Sequence, residues 1–166
     1  MGRVISRGPK NILAYSQEMG NWVELGTCDV TPDAAADPEG RMTADLLDND
    51  AGTSVNYRYV TSSPGDLINR TFTGGVWARA AAPRTSTIGI WELGVAFTLA
   101  NISVTADWQF FTASRTCNAS GGGLVGLILC PGQYGVSKGA TYFSMAQCNE
   151  GTILDKYVRT FEVART

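Results

Sequence analysis

The end of the chain, from Ala140 to Thr166, constrains the fold most. Thr141, Tyr142, Phe143, Ser144, Met145, Ala146 and Gln147 form one alternating run; a turn at Asn149, Glu150 and Gly151 separates it from a second, Lys156 to Val163. Alternation with period two is the signature of half-buried strand. In the second run Tyr157, Arg159, Phe161 and Val163 share one face and Val158, Thr160 and Glu162 the other, so neither face is purely apolar. A ribbon of this kind is marginal alone in water and must find earlier strands to pair with.

The rest of the chain supplies them. Strand signals occur at 11–16, 42–47, 54–60, 71–80, 87–93, 95–99, 108–113 and 124–130, which with 141–147 and 157–163 makes about ten strands and no sustained helical period. The stretch 31–40, with Pro32, Asp33, Asp37, Pro38 and Gly40, reads as turn throughout. Trp22 is expected in the core, and so are Tyr57 and Tyr59, which share a face with Val55. With 19 glycines and 44% hydrophobic residues in 166, the expectation is an all-β fold, two antiparallel sheets packed as a sandwich over one sizeable core. Residues 1–10 stand apart as a basic arm, with Arg3, Arg7 and Lys10 and no acid, before a domain spanning 11–166.

Several chemistries are disfavoured on composition. A net charge of -2 gives no sign of a nucleic-acid partner, and the longest apolar run, Leu124 to Cys130, is far short of the ~20 residues that span a membrane. Without histidine the chain lacks the usual triad base and the commonest metal ligand. Cys28, Cys117, Cys130 and Cys148 have no C-x-x-C spacing that would make a zinc site; with no signal segment visible, they are expected as buried free thiols. Gly121, Gly123 and Gly126 spell G-x-G-x-x-G, but a strand-like run rather than a helix follows, so no nucleotide site is expected. Asp45, Asp48 and Asp50 are weak candidates for a structural calcium and read better as a solvated turn. No pair of carboxylates has a context that marks it for hydrolysis, and no enzyme activity is expected.

Four segments carry a resemblance: NILAYSQEMGNW (11–22), PEGRMTADLL (38–47), GGVWARA (74–80) and AQCNEGTILDKYVRT (146–160). In order and approximate spacing they resemble a carbohydrate-binding-module-like jelly-roll domain that recurs in bacteriophage virion proteins. Asn11, Ser16, Trp22, Gly40, Thr43, Ala44, Asp45, Ala146, Gln147, Gly151, Tyr157 and Thr160 stand at its landmarks. Cys148 and Asn149 depart from its usual Leu-Glu, and Gly75 stands where it commonly has Ser.

The resemblance implies a two-sheet antiparallel jelly-roll β-sandwich and a virion setting. The expected function is that of a non-enzymatic phage structural protein made in the host bacterial cytoplasm. Its first form is a capsid decoration protein on the virion surface, a homotrimer whose Arg3, Arg7 and Lys10 dock on the phage major capsid protein. The alternative is a tail-fibre or receptor-binding module for a bacterial surface glycan. Sugar recognition needs exposed rings, because sugar C–H faces stack on aromatic planes. If Val76, Ala78 and Ala80 face inward, alternation turns Trp77 and Arg79 outward. With Trp91 they are the candidate glycan or interface contacts, although burial is the ordinary fate of Trp91 and of Trp108.

Overall fold

The computed structural model describes residues 11–118, 123–154, 157, 159 and 160. Ten strands follow a short 3-10 turn at Met19–Asn21: β1 (Val23–Leu25), β2 (Asp29–Ala36), β3 (Met42–Asp48), β4 (Tyr57–Ser62), β5 (Thr71–Arg79), β6 (Arg84–Glu92), β7 (Ala96–Val104), β8 (Gln109–Thr116), β9 (Val125–Cys130) and β10 (Ala140–Glu150). They form two five-stranded sheets of order β1-β4-β9-β6-β7 and β2-β3-β10-β5-β8. Every pairing is antiparallel.

The core lies between the sheets. Ile88, Ile90, Val125, Leu127 and Leu129 from the first sheet meet Leu47, Phe72, Val76, Ala78, Phe143 and Ala146 from the second. Close approach depends on Gly74: a Cβ there would stand 2.6 Å from Ile90 Cδ1 and 2.7 Å from Leu127 Cδ1. At one end of the sandwich Glu92, closed off from solvent, takes Arg115 at 2.7 Å and the Asn118 amide at 2.8 Å. This ion pair joins β6 of one sheet to β8 of the other.

β10 is central to the second sheet, and the described parts of both chain ends converge on it. Asn11 Nδ2 donates to the Ala146 carbonyl (3.0 Å), and Asn11 Oδ1 accepts from the Cys148 amide (3.0 Å). The Ala146 amide donates to the Ser16 carbonyl (2.9 Å), while Ser16 Oγ lies 2.9 Å from the Tyr157 hydroxyl and accepts from the Thr160 amide at 2.9 Å. Asn11, Ser16, Ala146, Tyr157 and Thr160 are landmark residues of the resemblance, and their work here is to fasten the ends.

The structure corrects the sequence reading in several places. Residues 11–16 run beside β10 but are not strand; Tyr15 at φ 51 interrupts extended geometry. Most of 31–40 is strand, since Pro32 and Asp33 fall within β2, an edge strand where a missing amide donor is tolerated. Val23–Leu25 forms β1, which was not anticipated, and β10 continues to Glu150 through the expected turn. Tyr157, Arg159 and Thr160 are not strand, and the remainder of the run to Val163, like the arm 1–10, lies outside the described residues. Tyr57 and Tyr59 do not join the inter-sheet core.

The β2–β3 turn is built around Asp37. Its Oδ1 accepts the amides of Glu39 (2.8 Å) and Arg41 (2.9 Å), and its Oδ2 takes Arg41 Nε (3.1 Å) and the Thr43 hydroxyl (2.8 Å). Burial alone would raise this carboxyl's pKa; the donors outweigh it and hold the value below the ordinary 3.8. A carboxyl with a depressed folded pKa stabilises the fold above its unfolded pKa and loses that contribution as pH falls through the folded one. Asp37→Asn should therefore cost about 1–3 kcal/mol near neutrality. The gap between variant and parent urea midpoints should narrow as pH falls below the ordinary carboxylate value of 3.8, whereas a constant gap would contradict the assignment.

Candidate functional site

The outer face of the first sheet is set by the same alternation that builds its core. Ile88 and Ile90 point inward, which turns Gly89 and Trp91 out; Leu127 and Leu129 point inward, which turns Gly126, Ile128 and Cys130 out. Across the ladder Tyr59 stands opposite Ile128, Gly89 opposite Leu99, and Trp91 opposite Phe97. Tyr57, Ile128 and Cys130 form the buried floor of a second apolar cluster, with Tyr59, Trp91, Leu99 and Tyr134 packed on it.

The rings touch in a continuous chain. Tyr59 and Trp91 meet edge to face with centroids 4.8 Å apart, Tyr57 lies 6.4 Å from Trp91 and 6.0 Å from Tyr134, and Phe97 lies 5.9 Å from Tyr134. Tyr59 and Trp91 sit on β4 and β6, two strands apart with β9 between them. Gly126, the β9 residue paired with Trp91, offers no side chain to keep the rings apart. A Cβ at Gly126 would itself stand 1.9 Å from the Val60 carbonyl oxygen and 2.8 Å from Thr61 Cα. The face extends past the cluster: Val23 and Leu25, 52% and 43% exposed, pair with Tyr59 and Tyr57, and Phe97 is 44% exposed. At its edge the buried Thr87 hydroxyl donates to Oδ1 of exposed Asn101 (2.8 Å) and accepts the Tyr134 amide (2.9 Å).

This arrangement provides contact surface rather than reactive groups. Burial raises the Tyr57 hydroxyl, with further increments from Tyr134, Tyr59 and Cys130, so it stays neutral at ordinary pH. Burial likewise pushes the Cys130 thiol up to about 11, and Cys28 and Cys148 up to about 12. All four cysteines are free, buried and protonated, with the packing role of small apolar side chains.

Of the residues singled out in the sequence, Trp91 falls at the centre of this face, half-buried rather than enclosed. Trp77 and Arg79 are on the opposite sheet, where Val76 and Ala78 point inward as anticipated. Asp45, Asp48 and Asp50 are not brought together: Asp45 is buried and accepts the amides of Met19 (2.7 Å) and Asp33 (3.0 Å), while Asp48 accepts the Asp50 amide (2.8 Å) in a local turn. No group of three or more potential metal ligands occurs among the described residues. Arg3, Arg7, Lys10 and Gly121 lie outside them. Sequence reasoning missed the outward placement of Tyr57 and Tyr59 and gave no role to Phe97 and Tyr134. The usable signal was parity: Tyr57 and Tyr59 alternate with Arg58 and with core residue Val60.

No protein-family model matches the chain, and no curated protein matches it. Solved structures do. The CBM22-1 xylan-binding domain of Paenibacillus barcinonensis Xyn10C is similar over 87% of this chain and 97% of its own, with a TM-score of 0.57 at 13% identity. TmCBM61, solved with β-1,4-galactotriose, is similar over 86% and 99%, with a TM-score of 0.53 at 12% identity. The enzymatically active domain of bacteriophage CBA120 tailspike protein 4 is similar over 84% of this chain but 21% of its own, with a TM-score of 0.53 at 15% identity. At these identities the likeness defines the fold: an all-β jelly-roll sandwich of the carbohydrate-binding-module type.

The close approach at Gly126 is directly testable. Gly126→Ala forces β4 and β9 to shift and should cost about 1–3 kcal/mol in thermal or urea unfolding. Unchanged stability would mean that the strands do not approach as described.

Proposed function

We propose that this protein is a non-catalytic glycan-binding module that presents the outer face of the β1-β4-β9-β6-β7 sheet to a polysaccharide. One observation carries the reading: a contiguous group of rings, half-exposed Tyr59, Trp91 and Tyr134 with exposed Phe97, joined over the buried Tyr57 on a hydrogen-bonded sheet with apolar flanks. Sugars present apolar C–H faces that stack on such rings, and positions on strands hold the rings in place before the ligand arrives. The structural relatives support this reading, since one is a xylan-binding domain and another was solved with a β-linked galactan fragment.

The setting we infer is a receptor-binding or tail-fibre protein of a bacteriophage virion, with a bacterial surface glycan as ligand. Support comes from the tailspike domain, which contains a similar sandwich as part of a longer chain. This reading takes precedence over capsid decoration. Docking through Arg3, Arg7 and Lys10 concerns residues outside those described, and no observation among the described residues favours a capsid partner or a homotrimer.

Affinity electrophoresis in gels containing xylan, galactan or purified bacterial surface polysaccharide tests the proposal. At least one neutral polysaccharide should retard the parent protein. Trp91→Ala and Tyr59→Ala should each weaken retardation about 10-fold, corresponding to ~1.4 kcal/mol, while Trp77→Ala should leave it unchanged. Absence of retardation by every polysaccharide, or Trp91→Ala behaving as the parent, would sink it.

A further inference from the structure

The opposite outer face, on the β2-β3-β10-β5-β8 sheet, carries a different arrangement. Arg79 on β5 stands across the ladder from Tyr142 on β10, and Trp77 stands between Ser144 on β10 and Phe110 on β8. The Arg79 guanidinium carbon is 5.2 Å from the Trp108 ring centroid and 5.2 Å from that of Tyr142. Trp108 is itself held by a hydrogen bond from its Nε1 to the Ala36 carbonyl (3.1 Å). Trp77 leans on Phe110 at 5.4 Å, and Phe110 is 39% exposed.

What sets Arg79 apart is that its side chain meets aromatic rings but neither an anion nor a hydrogen-bond acceptor among the described residues. Arg41, Arg58, Arg70, Arg115 and Arg159 each pair with a carboxylate, and Arg84 donates to the carbonyls of Lys138 and Ala140. Among the described residues Arg79 has neither a hydrogen bond nor an ion pair, and its Nε is buried unsatisfied. The hydroxyl of buried Ser144, across from Trp77, is likewise unsatisfied. A cation partly removed from water without an anion is costly, and aromatic contacts offset only part of that cost. The rings also hold the guanidinium in place, a preorganised donor for a planar oxyanion.

We propose that this face is a second binding site, selective for an acidic saccharide. The C–H face of a uronic acid residue packs on Trp77 and Phe110, and its carboxylate takes the guanidinium nitrogens of Arg79. The spacing allows it: Trp77 and Arg79 are two apart on β5 and so share a face about 7 Å apart, near enough for one sugar to lie on Trp77 and turn the carboxylate on its ring toward the long Arg79 side chain. Charge fits as well, because one cation neutralises a monoanionic carboxylate, whereas a dianionic phosphate would keep an uncompensated charge that is better hydrated in water. The site is separate from the neutral-glycan face and does not depend on it.

Isothermal titration calorimetry with trigalacturonate, its methyl ester and inorganic phosphate tests the assignment. Trigalacturonate should bind the parent at least 10-fold more tightly than either the ester or phosphate. Arg79→Lys, which keeps the charge and loses the planar fork, should weaken that binding at least 10-fold with an unchanged thermal midpoint. Trp77→Ala should weaken it independently, so the test survives if Arg79→Lys unfolds. Trp91→Ala should leave it intact, which separates failure here from failure of the neutral-glycan reading. No binding of trigalacturonate, equal binding of the ester or of phosphate, or parent-like affinity in folded Arg79→Lys or Trp77→Ala would overturn the proposal.

Discussion

All six residues of β9, from Val125 to Cys130, are buried, and that double-sided burial organises the molecule. A strand in the middle of a sheet with apolar side chains on both faces must be covered twice. Its inner residues Val125, Leu127 and Leu129 are covered by the second sheet; its outer residues Ile128 and Cys130 meet no third layer among the described residues and are covered by rings from β4, β6 and the turn after β9. The aromatic face thus begins as a structural necessity. It becomes a candidate binding surface because the cover is itself half-exposed and continues outward through Val23, Leu25 and Phe97.

The same logic explains why the candidate site is rigid. Tyr57, Tyr59, Trp91 and Phe97 all project from hydrogen-bonded strands, and Tyr134 is tied through its amide to Thr87 on β6. Little side-chain entropy remains to be lost on binding. The second sheet supplies the support from behind, with β10 at its centre and Asn11, Ser16, Tyr157 and Thr160 fastened to it. The two outer faces also differ in chemistry. One is a neutral ring surface with a Thr87–Asn101 polar edge, and the other holds a clamped, unpaired guanidinium.

Much of this fold was legible from period-two alternation. β3, β5, β6, β9 and β10 fall close to their sequence-predicted spans, and Val76 and Ala78 point inward as their pattern requires. β2 was hidden because Pro32 and Asp33 carry turn chemistry, which an edge strand accommodates. The site was less legible because alternation separates two faces without saying which one meets the other sheet. Tyr57 and Tyr59 were assigned to the core by their parity with Val55, yet Val55 precedes β4 and is 41% exposed. Trp91 stood out in the sequence because it is a large ring on a strand. Its contact with Tyr59 depends on Gly126 in the intervening strand, a tertiary relation that no local pattern carries.

The central claim, that the ring surface over β9 is where a glycan lands, is tested most directly by mapping ligand contacts on the isotopically labelled protein. Backbone and indole resonances would be followed during titration with a neutral β-linked oligosaccharide. The account predicts shifts concentrated at the Trp91 indole and along β1, β4, β6 and β7, with β5 and β8 silent. Shifts confined to β5 and β8, or no shifts at saturating ligand, would contradict it.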